Sequence, residues 1–294
     1  MTDFLITRAL ITGATGNVGI EVIKALAQLD HHLDIYAGIR GQEDNLQKLD
    51  GFSIKHKLFD FTDVTSYELA LDSVNILFLL RPPQISEVEK YFKPLIEVAV
   101  RSGVSHIVFL SVQGVEKSTI IPHHKIEKLI AESKIHYTFL RPAYFMQNFT
   151  STLRYELTVN KRIFLPAGQA KFTLVDVSDI GAVAAKILIE PENHQNQSYE
   201  LTCHQKLTFS EMASKLSEGL HTSIRYESPN LLQFFLVKRK EQIPTMLILV
   251  MIMLHYLPRF QKESLITDWV ERIIKKQPKT FEQFIIENKN ALCG

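Results

Sequence analysis

Cysteine is nearly absent from this chain of 294 residues: Cys203 and Cys293 are the only two, and there is a single tryptophan. The two thiols lie far apart and outside any metal-ligand spacing. That excludes a disulfide framework and a thiolate metal site, and it predicts two free thiols in a reducing cytoplasm. Charge of one sign is also missing, since 33 basic and 32 acidic residues leave a formal net charge of +1. No basic field exists to hold nucleic acid. Long hydrophobic runs are absent too. The most apolar stretch, Met246 to Leu257, is bounded by Pro244 and Pro258 and is shorter than the roughly 20 residues a membrane-spanning helix needs. No membrane span is expected, and the stretch reads as a buried helix. No charged region followed by an apolar run precedes Gly13, so a signal peptide is not expected. Internal repeats, low-complexity tracts and Gly/Ser linkers are likewise missing.

What is present is a rhythm. The first half alternates short β-branched or apolar runs with helical patterns, which predicts an α/β fold with a parallel sheet covered on both faces. Strands are expected at 9–12, 34–39, 54–59, 75–80, 106–111 and 137–140, with helices at 18–29, 64–71, 87–102 and 125–131. Continuous apolar runs such as Asn75–Leu80 (NILFLL) suit strands buried on both sides. After Phe149 the rhythm breaks. Short strands are expected around Pro166-Ala167-Gly168, then a helix from Ser178 that caps its own N-terminus. A strand near 199–202 returns to the sheet, and another helix starts near Ser210-Glu211. The expected division is a sheet domain over residues 1–150, joined by 177–203, and a smaller, mostly helical lobe from 204–294 with 151–176.

The strongest local signal is Thr12-Gly13-Ala14-Thr15-Gly16-Asn17-Val18-Gly19, between an apolar strand and an amphipathic helix. In such a loop Gly13 permits the tight turn. Gly16 lets a diphosphate approach the backbone, and Gly19 lets the helix pack against the strand. Unpaired N–H groups and the helix dipole then favour the anion. This is a dinucleotide-binding unit, and it predicts a Rossmann-type doubly wound parallel sheet. The ribose is read at the end of the second strand, where Tyr36-Ala37-Gly38-Ile39-Arg40 offers no acid for a 2′-hydroxyl. Arg40 is either a clamp for a 2′-phosphate or a solvated charge at a strand end. NADP(H) is therefore expected in preference to NAD(H). Asp60 and Phe61 end the third strand beside the expected adenine, where Asp60 serves equally well as a turn residue.

These residues resemble the NmrA-like branch of the atypical short-chain dehydrogenase/reductases, close to the type-2 NAD(P)H:quinone oxidoreductases. The likeness is carried by Leu10–Gly19 (LITGATGNVG), Asn75–Pro83 (NILFLLRPP), Tyr137–Phe149 (YTFLRPAYFMQNF) and Phe172–Leu188 (FTLVDVSDIGAVAAKIL). It extends to Tyr199–Ala213 and Pro278–Asn288 and fails between about Ser228 and Glu263. The resemblance implies a cofactor-carrying domain and a small C-terminal lobe that closes over the nicotinamide. By position, Gly13, Thr15, Gly16, Asn17 and Val18 would line the pyrophosphate, and Arg40 would read the adenosine ribose. Leu80 and Arg81 would lie near the inner ribose, and Pro142, Ala143, Tyr144 and Phe145 beside the nicotinamide amide. Family members usually carry Gly where Ala143 stands and Glu where Gln147 stands.

A catalytic constellation is harder to find. The Tyr-x-x-x-Lys pair of typical short-chain dehydrogenases does not follow the fifth strand. His123 falls roughly where isoflavone-reductase-like relatives place an active lysine, and it is either a proton donor with a pKa near neutrality or, with His124, a solvated helix start. Ser111, at the tip of the fifth strand, could orient a substrate carbonyl. No metal is expected, because adjacent histidines diverge on a helix and no third ligand follows. No nucleophile elbow supports hydrolysis. Hydride transfer to a stacked quinone needs little protein help, and Tyr144, Phe145, Phe149, Phe234 and Phe235 are candidates for an apolar wall or for plain core. Three functions follow: a cytoplasmic NADP(H)-dependent oxidoreductase acting on a small apolar quinone or carbonyl, a non-catalytic dinucleotide sensor regulating a partner, or, on the Met246–Leu257 stretch alone, a lipid- or membrane-surface protein. A second copy of the chain or a regulated protein remains open as partner.

Overall fold

Apolar runs without alternation need cover on both faces, and the chain supplies it in its first half by placing helices after the strands that end at Ile11, Leu58, Leu80 and Leu110. The computed structural model describes residues 7–41 and 46–293. It divides into two units, the first made of residues up to Pro142 with Val177–Leu201 and Trp269–Gln277, the second of Ala143–Asp176, Thr202–Asp268 and the chain from Pro278.

The first unit opens with β1 (Arg8–Ile11), α1 (Asn17–Ala27), β2 (Asp34–Ile39), β3 (Lys55–Leu58), α2 (Ser66–Leu71) and β4 (Ile76–Leu80). It continues through α3 (Lys93–Arg101), β5 (His106–Leu110), α4 (Pro122–Glu132) and β6 (His136–Pro142). The chain then enters the second unit with β7 (Tyr144–Phe145), α5 (Arg154–Thr158), β8 (Arg162–Phe164) and β9 (Lys171–Val175), and returns with α6 (Val177–Ile189) and β10 (Gln197–Leu201). The order across the sheet is β3-β2-β1-β4-β5-β6-β10, and every pair is parallel. Chain direction across the sheet reverses between β1 and β4. In a doubly wound sheet, the crevice at the carboxyl ends of those two strands is where ligands lie.

The core of this unit runs from Leu10 and Leu77 to Phe92, Phe109 and Phe139. Helix α6 approaches α1 so closely that a Cβ added at Gly181 would lie 2.6 Å from the Glu21 carbonyl. Three local expectations change. The helix expected from Glu87 is a π-turn over Val88–Phe92 followed by α3. Ser178 lies inside α6, which begins at Val177, and does not cap it. The returning segment Trp269–Gln277 carries a helix, α10 (Trp269–Ile274), onto α6 and β10.

The second unit pairs β7 and β9 in parallel and adds β11 (Lys206–Thr208) antiparallel to β9. A further strand, β12 (Arg225–Glu227), pairs with β8. Around them stand α7 (Phe209–Leu220), α8 (Leu231–Lys240), α9 (Thr245–Tyr256), α11 (Phe281–Glu287) and α12 (Lys289–Cys293). Helix α7 is capped by Thr208, whose hydroxyl accepts from the Glu211 N–H while the Glu211 carboxylate accepts from the Thr208 N–H. Its core is aromatic, with Phe149, Phe164, Phe209, Phe281 and Phe284 all fully enclosed. The apolar stretch expected to be buried is not. Only Ile248, Met251 and His255 of α9 are enclosed, while Met246 is 71% and Leu254 52% exposed. Apolar composition alone did not bring this helix into a core.

Candidate dinucleotide site

The site begins at the end of β1, where Thr12 ties two strands together. Its buried hydroxyl donates to the Phe78 carbonyl at 3.0 Å and accepts from the Leu80 N–H at 2.9 Å, so the carboxyl ends of β1 and β4 are held in register. Gly13 follows with φ +62°, a left-handed conformation that a side chain resists. The Gly16 N–H closes the turn onto the Gly13 carbonyl at 2.9 Å. Gly16 then enters α1 in extended conformation; among the described residues no side chain caps the helix, and no acid stands in its first turn. Gly16 and Asn17 are exposed, while Val18 and Gly19 are buried. The positive end of the α1 dipole therefore faces outward with its first N–H groups uncapped, which is the chemistry of a diphosphate site.

The glycines divide the labour as expected. A Cβ at Gly19 would lie 2.2 Å from the Gly13 carbonyl oxygen, and one at Gly16 would lie 3.1 Å from the same atom. Gly19 thus serves packing inside the loop, and Gly16 keeps the outer surface bare. Leu80 lies on the inner side, its Cδ2 3.3 Å from where a Gly13 side chain would stand.

At the end of β2, Ala37 and Gly38 are buried and Arg40 is exposed. Gly38 is small because of the sheet itself, since a Cβ there would meet the Ile11 carbonyl at 3.3 Å and the Phe59 Cβ at 3.4 Å. A second cation stands at the loop, for Lys48 Nζ donates to the Thr15 carbonyl at 3.0 Å from 33 residues away. Sequence reading missed Lys48 because no motif spacing links it to the glycines.

Asp60 is a turn residue in this geometry. One carboxylate oxygen accepts from the Thr62 N–H at 2.7 Å and from its hydroxyl at 2.8 Å. The Phe61 ring is in the core, edge-on to Phe59 at 4.8 Å, so only its backbone is available to a ligand. Arg81 is turned toward its own loop and donates from Nη1 to the carbonyls of Pro82, Pro83 and Ile85 at 3.0, 3.2 and 2.7 Å. Its Nε donates to His123 Nε2 at 3.2 Å.

That contact changes the expectation that His123 titrates near neutrality. Its ring packs 6.1 Å from Phe109, and burial, reinforced by the Arg81 charge, pushes its pKa down to about 3. It is half-buried in the first turn of α4 and is not poised near neutrality. Accepting at Nε2 from Arg81 leaves its single proton on Nδ1. Ser111 extends β5 at its carboxyl end, its N–H donating to the Leu140 carbonyl at 2.7 Å. Its hydroxyl is buried and has no hydrogen-bond partner among the described residues. A buried hydroxyl without a protein partner at the carboxyl edge of a doubly wound sheet has the chemistry to meet a polar ligand atom. The loop, the uncapped helix and this hydroxyl together fit a dinucleotide.

Pro142 closes the first unit, its carbonyl accepting from the Gln113 N–H at 2.9 Å, and Ala143 opens the second. Tyr144 packs edge-on against Phe172 and Phe209 at 5.6 and 5.7 Å, and its hydroxyl donates to His255 Nε2 at 3.2 Å. His255 Nδ1 in turn donates to the Met251 carbonyl at 2.7 Å. Burial raises the Tyr144 pKa and lowers that of His255 to about 4, so both are neutral. Phe149 and Phe234 are fully enclosed core, whereas Phe145 and Phe235 are half-buried. Gln147 has a reason to be an amide: its Nε2 donates at 2.9 Å to the buried carboxylate of Asp176, which Lys279 also faces at 3.5 Å. A glutamate there would oppose one carboxylate with another.

The strand order and the loop at its switch point define a doubly wound α/β protein with a diphosphate cradle. The chain belongs to the NmrA-like family, whose model matches residues 7–284. It is 29% identical over 287 residues to the prestalk A differentiation protein A of Dictyostelium discoideum, covering 97% of this chain and 93% of that one. It is 26% identical over 281 residues to the NAD(P)H azoreductase of Xenophilus azovorans, covering 94% and 96%. The NADPH-dependent quinone oxidoreductase of Escherichia coli, solved with NADPH, superimposes with a TM-score of 0.82 at 22% identity, over 96% of this chain and 99% of that one.

Proposed function

We propose that this protein binds NADP(H) in preference to NAD(H) and passes hydride to a quinone or a similar apolar, conjugated acceptor. The observation that carries the reading is the uncapped N-terminus of α1 behind Gly13 and Gly16, with the cation Lys48 on the loop and Arg40 at the acid-free end of β2. Arg40 and Lys48 would favour a 2′-phosphate. The azoreductase and quinone oxidoreductase relatives support a conjugated acceptor.

The bound nicotinamide supplies the hydride. This chain's own part is to hold and to exclude. The backbone around Gly16 and Asn17 would bind the diphosphate, and Ser111 would offer its hydroxyl to a polar ligand atom. His123, held neutral far below its ordinary pKa, carries no acidic imidazolium proton near pH 7. The site thus suits a quinone, whose reduced form can take its protons from water, better than a simple aldehyde that needs a general acid. NADPH oxidation followed against quinones, azo dyes, aldehydes and enones tests the reading. Turnover is expected with quinones or azo dyes and not with simple aldehydes, with NADPH preferred to NADH. Tight NADPH binding without turnover of any acceptor would leave the non-catalytic sensor as the account.

A further inference from the structure

Helix α9 is fixed to its unit along one narrow line and bare elsewhere. Ile248, Met251 and His255, spaced three and four residues apart, face inward, and His255 is tied to Tyr144. Outside that line the helix exposes Met246, Leu247, Leu249, Val250, Met253 and Leu254, and the chain after it adds Phe260 at 71% exposed. Between Thr245 and Tyr256 there is no Asp, Glu, Lys or Arg. A contiguous apolar surface of this kind marks contact with a membrane or a partner.

The charges around it decide between those two. The flanking segments carry Arg239, Lys240, Arg259 and Lys262, none of which has an acidic partner among the described residues. Both acids of the same stretch are already neutralised, Glu241 by Lys238 at 2.8 Å and Glu263 by Lys206 at 3.2 Å. What remains is an apolar helix between unpaired cations. A protein groove would select a defined stripe of anchors, whereas this helix is apolar over its whole free circumference, as a fluid layer accepts. Its 12 residues span about 18 Å at 1.5 Å per residue, too short for a hydrocarbon layer about 30 Å thick. Among the described residues no helix is long and apolar enough to cross a membrane.

We propose that α9 lies flat on the surface of an anionic phospholipid bilayer, its apolar side chains among the upper acyl chains and its flanking cations on the phosphates. The surface does not depend on turnover at the dinucleotide site, though lipid is also where long-chain quinones dissolve. Co-sedimentation of the full chain with phosphatidylcholine vesicles, with and without phosphatidylglycerol, tests it. Retention is expected on the anionic vesicles alone and should fall as salt rises. Replacing Leu249 and Leu254 together by Glu should abolish it. The triple change Arg239→Gln, Lys240→Gln, Lys262→Gln should weaken it about a hundredfold, at roughly fivefold per cation. Unchanged thermal melts would show both variants folded. Three results would overturn the proposal: no retention, equal retention on both vesicle types, or a dimer in solution that Leu254→Glu dissociates, which would give the face to a second copy of the chain.

Discussion

Gly16 and Gly19 stand in one loop, yet a methyl group at each should fail in a different way. At Gly19 the added carbon would sit 2.2 Å from the Gly13 oxygen and 2.8 Å from Ala14 Cα. Both are backbone atoms, so nothing can rotate aside and the loop must move. Overpacking of this kind costs about 1–3 kcal/mol, of which the better helix propensity of alanine returns less than ~1 kcal/mol. With about 2–4 °C per kcal/mol for a unit of this size, Gly19→Ala should melt on the order of 5 °C lower. At Gly16 the contact is 3.1 Å and the backbone is already extended, with φ −81° and ψ 172°. Alanine fits there at a cost of about 1 kcal/mol or less, from a poorer helix cap. The methyl would, however, stand where a diphosphate must touch backbone, and NADPH affinity should fall at least about tenfold. Thermal unfolding with and without NADPH separates the two, because saturating ligand adds about 2.7 kcal/mol at a hundred times Kd. Gly19→Ala should lower the melting temperature without ligand. Gly16→Ala should keep it and lose about half or more of the NADPH-induced rise. A wild-type melt for Gly19→Ala, or an undiminished NADPH shift for Gly16→Ala, would refute the reasoning.

Cofactor choice gives the next test: Arg40→Ala should weaken NADPH binding by roughly ten- to a hundredfold, the range for a charge-assisted hydrogen bond, and leave NADH nearly unchanged. Equal losses for both would remove Arg40 as the selector. Gln147→Glu would set a second carboxylate against buried Asp176 and should cost about 1–3 kcal/mol near pH 7. One carboxyl pKa would be raised in the folded state, so the penalty should fade as pH falls through that value, and urea unfolding with the same midpoint as wild type at neutral pH would count against the pairing. Acid sensitivity follows from His106, His123 and His255, which burial holds at about 4, 3 and 4. Unfolded histidine titrates near ~6.5, so the unfolded chain takes up more protons below that pH. Their contribution is present above about pH 6.5 and is lost as pH falls toward 4, up to about 3 kcal/mol for the enclosed His255. His255→Gln should flatten the fall in melting temperature between about pH 7 and about pH 5, and an unaltered slope would show that this residue does not set it.

Most of the sheet was legible because its strands are apolar on both faces. β2 matches the expected Asp34–Ile39, and β4, β5 and β10 lie within about two residues of expectation. The glycine loop was legible because each glycine answers a backbone constraint that no other residue meets. What escaped is what depends on partners distant in sequence. The contact of Lys48 with Thr15, the pairing of Gln147 with Asp176 and the seat of His123 under Arg81 carry no local period. The Thr208–Glu211 capping box was readable in the sequence, and it places the start of α7 slightly before the expected Ser210. Helix α9 misled because hydrophobic periodicity tells which face is buried only when another face is polar, and α9 has almost no polar face.

The single tryptophan sits where it can report on the order of assembly. Trp269 opens the segment that completes the first unit, its ring 4.8 Å from that of Tyr199 on β10 and its face covered by the Arg272 guanidinium at 5.3 Å. The chain passes between units at residues 142, 176, 201, 268 and 277. During synthesis the dinucleotide loop is therefore made early, but the sheet edge that includes β10 waits for a helix encoded near the end. A chain truncated before Trp269 would leave the exposed side of Tyr199 uncovered, and it would be silent in tryptophan fluorescence. In the full chain the emission of this one residue should shift to the blue as the last segment docks, later than any signal from the glycine loop. Refolding followed by tryptophan emission thus reads the closing of the first unit separately from its beginning.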